Sequence, residues 1–330
     1  MILFSVIIPV YNAESTIEAC VLSLVKQDTS TNNFEIILVN DGSSDDSLDL
    51  CSKLANDYEQ VKCFSQLNQG VSTARNIGLA AAVGQYIWFV DADDLVDAHS
   101  FNRLNEVIIQ YNYPEIIGFN YRIKECCGTR DVLNHLSESI IHPAIDLVIS
   151  QTRLYVWDKV YRKDVIGKVR FVDGTINIED MCFNLNVLTH SKELITIPDV
   201  LYQYNCLTTS STSRSRDPKK LAKLDSDTLI ILSKLKTDIE HSKDDHVRNV
   251  LKEALKISLA GHLYSLYRFY SPGYAKKDIK FYKSQNLYPV EKTQNKKANT
   301  FLRLANHEWI FYMSIRINRL ITQIKKMMRF

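Results

Sequence analysis

The sequence predicts an α/β fold with a mostly parallel sheet and a helical C-terminal extension. Three observations carry this expectation. The first 120 residues alternate strand-like and helix-like segments at short intervals, the pattern of βαβ units. The apolar run Tyr86-Ile87-Trp88-Phe89-Val90 leads directly into Asp91-Ala92-Asp93-Asp94, as a buried strand delivering acids to its C-terminal mouth would. Beyond Pro218 the periodicity becomes helical.

Strands are expected at residues 3–9, Phe34–Asn40, Val61–Ser65, Gln85–Val90 and Glu115–Tyr121. The first helix follows Glu14-Ser15-Thr16 and places Ile17, Cys20, Val21 and Leu24 on one face. The second follows Asp41-Gly42-Ser43-Ser44-Asp45-Asp46, a turn rich in helix-capping residues. The third runs from about Val71 to Val83 and stops near Gly84. Residues 122–150 read as an irregular crossing, and 155–204 as a mixed α+β continuation. A Ser/Thr-rich loop spans 205–217, followed by helices at roughly 219–237, 244–270 and 299–329. The expected division is therefore 1–215, with halves 1–120 and 121–215, and 216–330.

Composition is that of an ordinary globular protein, 45% apolar and 24% charged, and no apolar run is long enough to span a bilayer. The N-terminus reads as a core strand, lacking the basic segment and cleavage site of a signal peptide. Seven cysteines, with no Cys-x-x-Cys pair, point to reduced cytosolic thiols. The net charge of +2 hides an asymmetry: residues 1–100 carry four basic and fourteen acidic side chains, whereas 276–330 carry thirteen basic and three acidic. The acidic part suits a metal site rather than nucleic acid; the basic tail suits an anionic partner.

Carboxylates crowded at a strand mouth repel one another unless a cation shares the site. The Asp91–Asp94 cluster therefore suggests a divalent metal holding a phosphorylated ligand, against the alternative of a solvated turn with a helix-capping Asp. Three further segments precede it. Ser5-Val6-Ile7-Ile8-Pro9-Val10-Tyr11-Asn12-Ala13-Glu14 is a strand opening into a turn that can wall a nucleobase. In Val39-Asn40-Asp41-Gly42-Ser43, Asp41 can accept from a base N–H or a ribose hydroxyl, and Gly42 permits a close turn. In Asn68-Gln69-Gly70 through Ala74-Arg75-Asn76-Ile77-Gly78, a glycine turn starts a helix carrying Arg75.

This ordered set resembles glycosyltransferase family 2, the nucleotide-sugar-dependent transferases of the GT-A fold. The resemblance runs from residue 3 to about 120. A looser block, Trp157-Asp158-Lys159-Val160-Tyr161-Arg162, Arg170-Phe171, Ile178-Glu179-Asp180, Phe183 and Tyr202-Gln203-Tyr204, is similar to the acceptor half of bacterial members. The resemblance implies that Pro9, Tyr11, Glu14, Asn68, Gly70 and Arg75 line the nucleotide pocket, and that Asp41 binds the uracil of a UDP-sugar. Asp91 and Ala92 would approach the ribose, and Asp93 would hold Mg²⁺ or Mn²⁺ on the diphosphate. Asp94 would support the cluster or, preferably, cap the helix starting near Asp97. Asp180 would be the base that deprotonates the acceptor hydroxyl, with Glu179 as second candidate; the alternative for both is a helix cap.

Trp157 could face the acceptor sugar or pack in the core, and Lys159 could meet an acceptor phosphate or lie on an exposed basic face. Arg214, in the Ser210–Arg214 loop, or Arg216 just after it would screen leaving-group charge. His135, His142, His190 and His262 show no metal-ligand spacing and read as structural. The helix over 310–330, with Arg316, Arg319, Lys325, Lys326 and Arg329 between apolar positions, suits an anionic membrane interface. Its alternative is docking on the catalytic domain or on a second subunit of a homo-oligomer. The expectation is an inverting, metal-dependent transferase of surface-polysaccharide type. It would act on a glycan or lipid-linked acceptor, in the cytoplasm or peripherally on the inner membrane face. A sugar-nucleotidyltransferase and an inactive nucleotide-sugar-binding scaffold are the competing readings.

Overall fold

The computed structural model describes residues 2–27, 33–150, 154–207 and 217–327. The chain divides into two compact units, Met1–Arg214 and Ser215–Phe330.

In the first unit the strands are β1 (Phe4–Val10), β2 (Phe34–Asp41), β3 (Val61–Gln66), β4 (Tyr86–Phe89), β5 (Leu95–Val96), β6 (Ile116–Glu125), β7 (Gly128–Val132), β8 (Ser139–Ile141), β9 (Lys159–Arg162) and β10 (Leu194–Asn205). Its helices are α1 (Ile17–Val25), α2 (Ser47–Asp57), α3 (Val71–Ala81), α4 (Ser100–Gln110), the short α5 (Leu147–Ser150) and α6 (Lys163–Ile166), and α7 (Glu179–Leu188). One ten-stranded sheet runs β3-β2-β1-β4-β9-β6-β10-β5, with β7 on β6 and β8 on β10.

The α/β expectation holds. β1 is parallel to both β2 and β4, with Val6 opposite Ile36 and Trp88. Every residue of β2 is buried, as a parallel strand covered on both faces requires. Gly78 lets α3 press against β1, because a Cβ there would meet Ile7 Cγ2 at 2.3 Å. β1, β2 and β4 end on the same side, so the loops after Val10, Asp41 and Phe89 converge where strand order reverses, the usual ligand crevice of an open α/β sheet. β9 enters antiparallel between β4 and β6.

Residues 122–150 are irregular only in part. β6 continues to Glu125, turns at Cys126-Cys127 and returns as β7, with Arg122 bonded to Asp131 across the pair. Alternation there is masked by charged side chains on an exposed hairpin.

Among its described residues the second unit contains five helices: α8 (Pro218–His241), α9 (Asp245–Phe269), α10 (Pro272–Ser284), α11 (Lys296–Ala305) and α12 (Glu308–Met327). α10 is not among the expected helices, because its lysine-rich run buries only Ala275, Asp278, Ile279 and Tyr282. The single helix expected at 299–329 is two, α11 and α12. Asn306 separates them by leaving the helix to bond both Val290 N–H (2.9 Å) and Val290 C=O (2.8 Å). α12 buries Phe311 and Ile315 and exposes Trp309, Ile310, Met313, Ile317, Leu320 and Ile321. Among the described residues no helix is long and apolar enough to cross a membrane.

Candidate active site

The loops after β1 and β2 knit together before any ligand is considered. Asn12 adopts a left-handed conformation (φ 49°), and its side-chain oxygen accepts the Ser44 N–H at 2.8 Å. Glu14 accepts the Asp46 N–H at 3.1 Å. Pro9 is half-buried, while Tyr11 lies exposed at this mouth. Asp41 is buried and holds the turn before α3, accepting from Gln66 Nε2 (2.6 Å), Gln69 N–H (2.8 Å) and Gly70 N–H (2.9 Å). Three donors on one carboxylate make Asp41 first an anchor of this loop, with about one lone pair remaining. Gly42 closes the same corner: at φ +67° its backbone passes so near Asn68 that a Cβ would sit 2.6 Å from the Asn68 nitrogen.

The acids after β4 divide by environment. Asp94 is fully buried, accepting from the Tyr202 hydroxyl (2.7 Å) and the Asn205 N–H (2.7 Å). It is therefore a bracket between the acid loop and β10 and not the cap of α4, whose N-cap is His99. Burial and the neighbouring Asp91 and Asp93 charges push its carboxyl well above the usual range. The Tyr202 hydroxyl also accepts the Asp91 N–H at 3.1 Å. Ala92 is buried, whereas Asp91 and Asp93 are half-buried at the mouth.

Arg75 gathers the remaining acids. Its side chain is almost fully buried, and Nη2 donates to Asp91 Oδ1 at 2.9 Å. Nη1 donates to Asp180 Oδ1 at 2.7 Å and Glu179 Oε1 at 3.2 Å. The guanidinium also sits 5.3 Å from the centre of the Phe171 ring. Arg75 is thus a clamp that joins Asp91 to the adjacent pair Glu179 and Asp180, far along the chain from it. Glu179 and Asp180 occupy the first turn of α7, where the helix dipole favours negative charge. The N-cap position itself belongs to Ile178. Burial, then Asp180, pushes Glu179 up to about 7 against the opposing pull of Arg75. Burial likewise raises Asp180, which also accepts the Val156 N–H at 3.3 Å.

Two acceptor-side expectations change. Trp157 is buried within an aromatic stack, its ring 4.5 Å from Tyr155 and 4.7 Å from Tyr202, so core packing takes its faces. Lys159 meets neither phosphate nor solvent: it is buried at the start of β9, pairs with Asp158 and donates to the Tyr155 carbonyl at 3.0 Å. A central strand directs that side chain inward, where a charge requires a partner. Arg214 and Arg216 lie outside the described residues. Asn12 and Tyr202 position the site although the sequence reading assigns them no individual role. A non-glycine residue suited to a left-handed turn was the available signal for Asn12; no local signal marks Tyr202. An open depression of about 780 Å³ around Val83, Gly84, Tyr113 and Arg162 lies at the other end of the strands and contains none of these acids.

The oxygen-rich mouth suits Mg²⁺ or Mn²⁺, which take carboxylate ligands. Arg75 supplies one positive charge to Asp91, Glu179 and Asp180, while Asp91, Asp93 and Asp94 lie close enough to raise the buried Cys20 thiol. Carboxylates crowded at this mouth fit a divalent cation.

The profile of Glycosyl transferase family 2 matches residues 5–168. Glycosyltransferase GlyG of Streptococcus pneumoniae is 35% identical over 214 residues, 61% of this chain and 70% of that protein. The chain belongs to glycosyltransferase family 2. An uncharacterized glycosyltransferase of Bacillus subtilis, EpsJ, is 34% identical over 212 residues, 61% of this chain but only 60% of the relative's length. The S. aureus TarS 1–349 structure in complex with UDP-GlcNAc superposes with a TM-score of 0.72 at 18% identity, covering 98% of this chain and 92% of that one. That likeness establishes the shared fold.

Proposed function

We propose that this protein is an inverting, divalent-metal-dependent glycosyltransferase that moves a single hexosyl or N-acetylhexosaminyl unit from a UDP-sugar to a hydroxyl of a glycan or lipid-linked acceptor. The carrying observation is the Arg75-clamped trio Asp91, Glu179 and Asp180 beside the acid loop that contains Asp93. The UDP-GlcNAc bound by the TarS structure supports the choice of donor class. Capsule, lipopolysaccharide or exopolysaccharide assembly is the setting, in keeping with a minor teichoic acid biosynthesis protein of Bacillus subtilis that is 30% identical over 203 residues.

In this reading the β1 and β2 loops hold the nucleotide, with Pro9 and Tyr11 along the base and Asp41 near its polar edge. Asp93 would hold Mg²⁺ or Mn²⁺, and the ion would supply positive charge against the departing diphosphate. Asp180 accepts the proton as the acceptor hydroxyl attacks in line, inverting the anomeric carbon. Its orientation is fixed from two sides, by Arg75 and the Val156 N–H, and its raised affinity for a proton suits a base. Glu179 acts as its titrating neighbour. Trp157 and Lys159 support the acceptor side from within the core.

α12 contributes a basic and apolar outer face for anionic lipid on the cytoplasmic side of the membrane. Its docked face, Phe311 and Ile315, is separate from its exposed apolar face.

The test is UDP release from a panel of UDP-sugars with Mn²⁺, with and without EDTA. Release should require metal, and Asp93→Ala should lose both turnover and metal-dependent UDP binding measured by calorimetry. Metal-independent release, or no release with any donor and a pool of glycan and lipid-linked acceptors, would overturn the proposal.

A further inference from the structure

Three helices of the C-terminal unit bring Asp225 of α8, His262 of α9 and Asp278 of α10 together. All three are buried, and one ligand atom from each lies within 4.8 Å of the other two. His262 Nε2 is 3.2 Å from Asp225 Oδ1 and 3.8 Å from Asp278 Oδ2. On the opposite edge of the ring, Nδ1 pairs with the buried Tyr282 hydroxyl. When Nδ1–H donates to Tyr282, the Nε2 lone pair faces the two carboxylates. This second partner is what commonly orients a metal-binding histidine.

The carboxylates provide an independent observation. Asp278 is 0% exposed, and its two oxygens and Asp225 Oδ2 find no hydrogen-bond partner beyond one another. Lys277 approaches Asp225 Oδ2 at 3.5 Å, but its side chain is 62% exposed. Two buried anions facing one another need more compensation than one solvated ammonium supplies.

We propose that Asp225, His262 and Asp278 form a metal site that takes a transition-series divalent cation, zinc foremost, and ties α8, α9 and α10 together. Two carboxylates, a neutral imidazole and a divalent ion sum to zero charge, which suits burial. The mixed oxygen and nitrogen donors favour zinc over Mg²⁺ or Ca²⁺, and zinc ranks above Mn²⁺ and Fe²⁺ for such ligands. With Zn–N and Zn–O bonds of about 2.0–2.2 Å, tetrahedral ligands stand about 3.4 Å apart. The two histidine–carboxylate distances bracket that spacing. Bidentate carboxylate binding or a water completes the coordination. The competing occupant is a proton shared by the acids, since burial and Asp225 push Asp278 up to about 8.

The test uses the untagged full-length chain carrying Asp93→Ala, so that metal at the proposed transfer site does not enter the count. The protein is stripped with a chelator, then titrated with zinc in competition with a chromophoric chelator, and its melting temperature is followed in parallel. One equivalent of zinc should bind and raise the melting temperature by several degrees, with Mn²⁺ binding more weakly. His262→Gln and Asp278→Asn should each weaken zinc at least about tenfold, and Tyr282→Phe about tenfold. Asp278→Asn removes a buried charge and should fold without metal, which keeps the comparison interpretable. Absence of a saturable site, or zinc affinity and melting shift unchanged in His262→Gln, would overturn the proposal. A metal-free Asp278→Asn variant more stable than its parent, with neither responding to zinc, would identify a proton as the occupant. None of these readouts depends on sugar transfer.

Discussion

Arg75→Met should destabilise the first unit strongly, and more so as pH rises. The substitution keeps apolar bulk against Phe171 but removes the positive charge that, among the described residues, pairs with Asp91, Glu179 and Asp180. Three charge-assisted bonds at about 1.5–3 kcal/mol each would suggest roughly 4.5–9 kcal/mol. They share one guanidinium and are not additive, so the smaller figure for breaking a buried ion pair, about 3–5 kcal/mol, is the better guide. At about 2–4 °C per kcal/mol for a domain of this size, the melting temperature should fall by about 6–20 °C.

The sign with pH follows from the acids. Burial pushes Glu179 up to about 7 in the folded protein, above the ordinary carboxylate range, and raises Asp180 as well. A carboxyl whose folded pKa is raised contributes stability that is present below its unfolded pKa and lost as pH climbs through the folded one. Removing Arg75 raises both further, so the penalty should be small near pH 5 and largest above about pH 8. Arg75→Lys should lie between, because one ammonium cannot reproduce the fork. Thermal melts of wild type and both variants from pH 5 to 9 measure this. A loss under about 2 °C, or one independent of pH, would refute the clamp.

Asp180→Asn should abolish turnover while leaving UDP binding intact, whereas Glu179→Gln should retain turnover. Wild-type turnover should rise with pH on an acid limb above the ordinary aspartate range, because burial raises Asp180, and Glu179→Gln should move that limb lower; the reverse pattern would exchange their roles. Tyr202→Phe leaves an Asp94 oxygen and the Asp91 N–H without their partner. It should cost about 1–3 kcal/mol in urea unfolding, and an unchanged midpoint would show that the bracket does not matter. Ile317→Asp with Leu320→Asp alters only exposed positions of α12. The pair should keep the melting temperature and reduce co-sedimentation with phosphatidylglycerol vesicles; equal sedimentation would remove the membrane role from this face.

The sequence by itself determined the parallel core strands, the helices that cover them and the arrival of three acids at one strand mouth. These are local properties. A continuous apolar run, a 3.6-residue period and a glycine turn are each written within a dozen residues, and parallel βαβ geometry then sends the strand ends to one side. The exposed hairpin β6–β7 and the helix α10 escaped because little apolar surface marks their faces. Tertiary structure alone decided which charges meet. Arg75 finds Glu179 and Asp180 across 104 and 105 residues. Lys159 turns inward because β9 lies between β4 and β6, and Trp157 spends its faces on core tyrosines. His262 shows no ligand spacing in the sequence, since Asp225 and Asp278 reach it from two other helices. Burial and partner identity depend on sheet order and helix packing, and at such separations neither leaves a periodic trace in the chain.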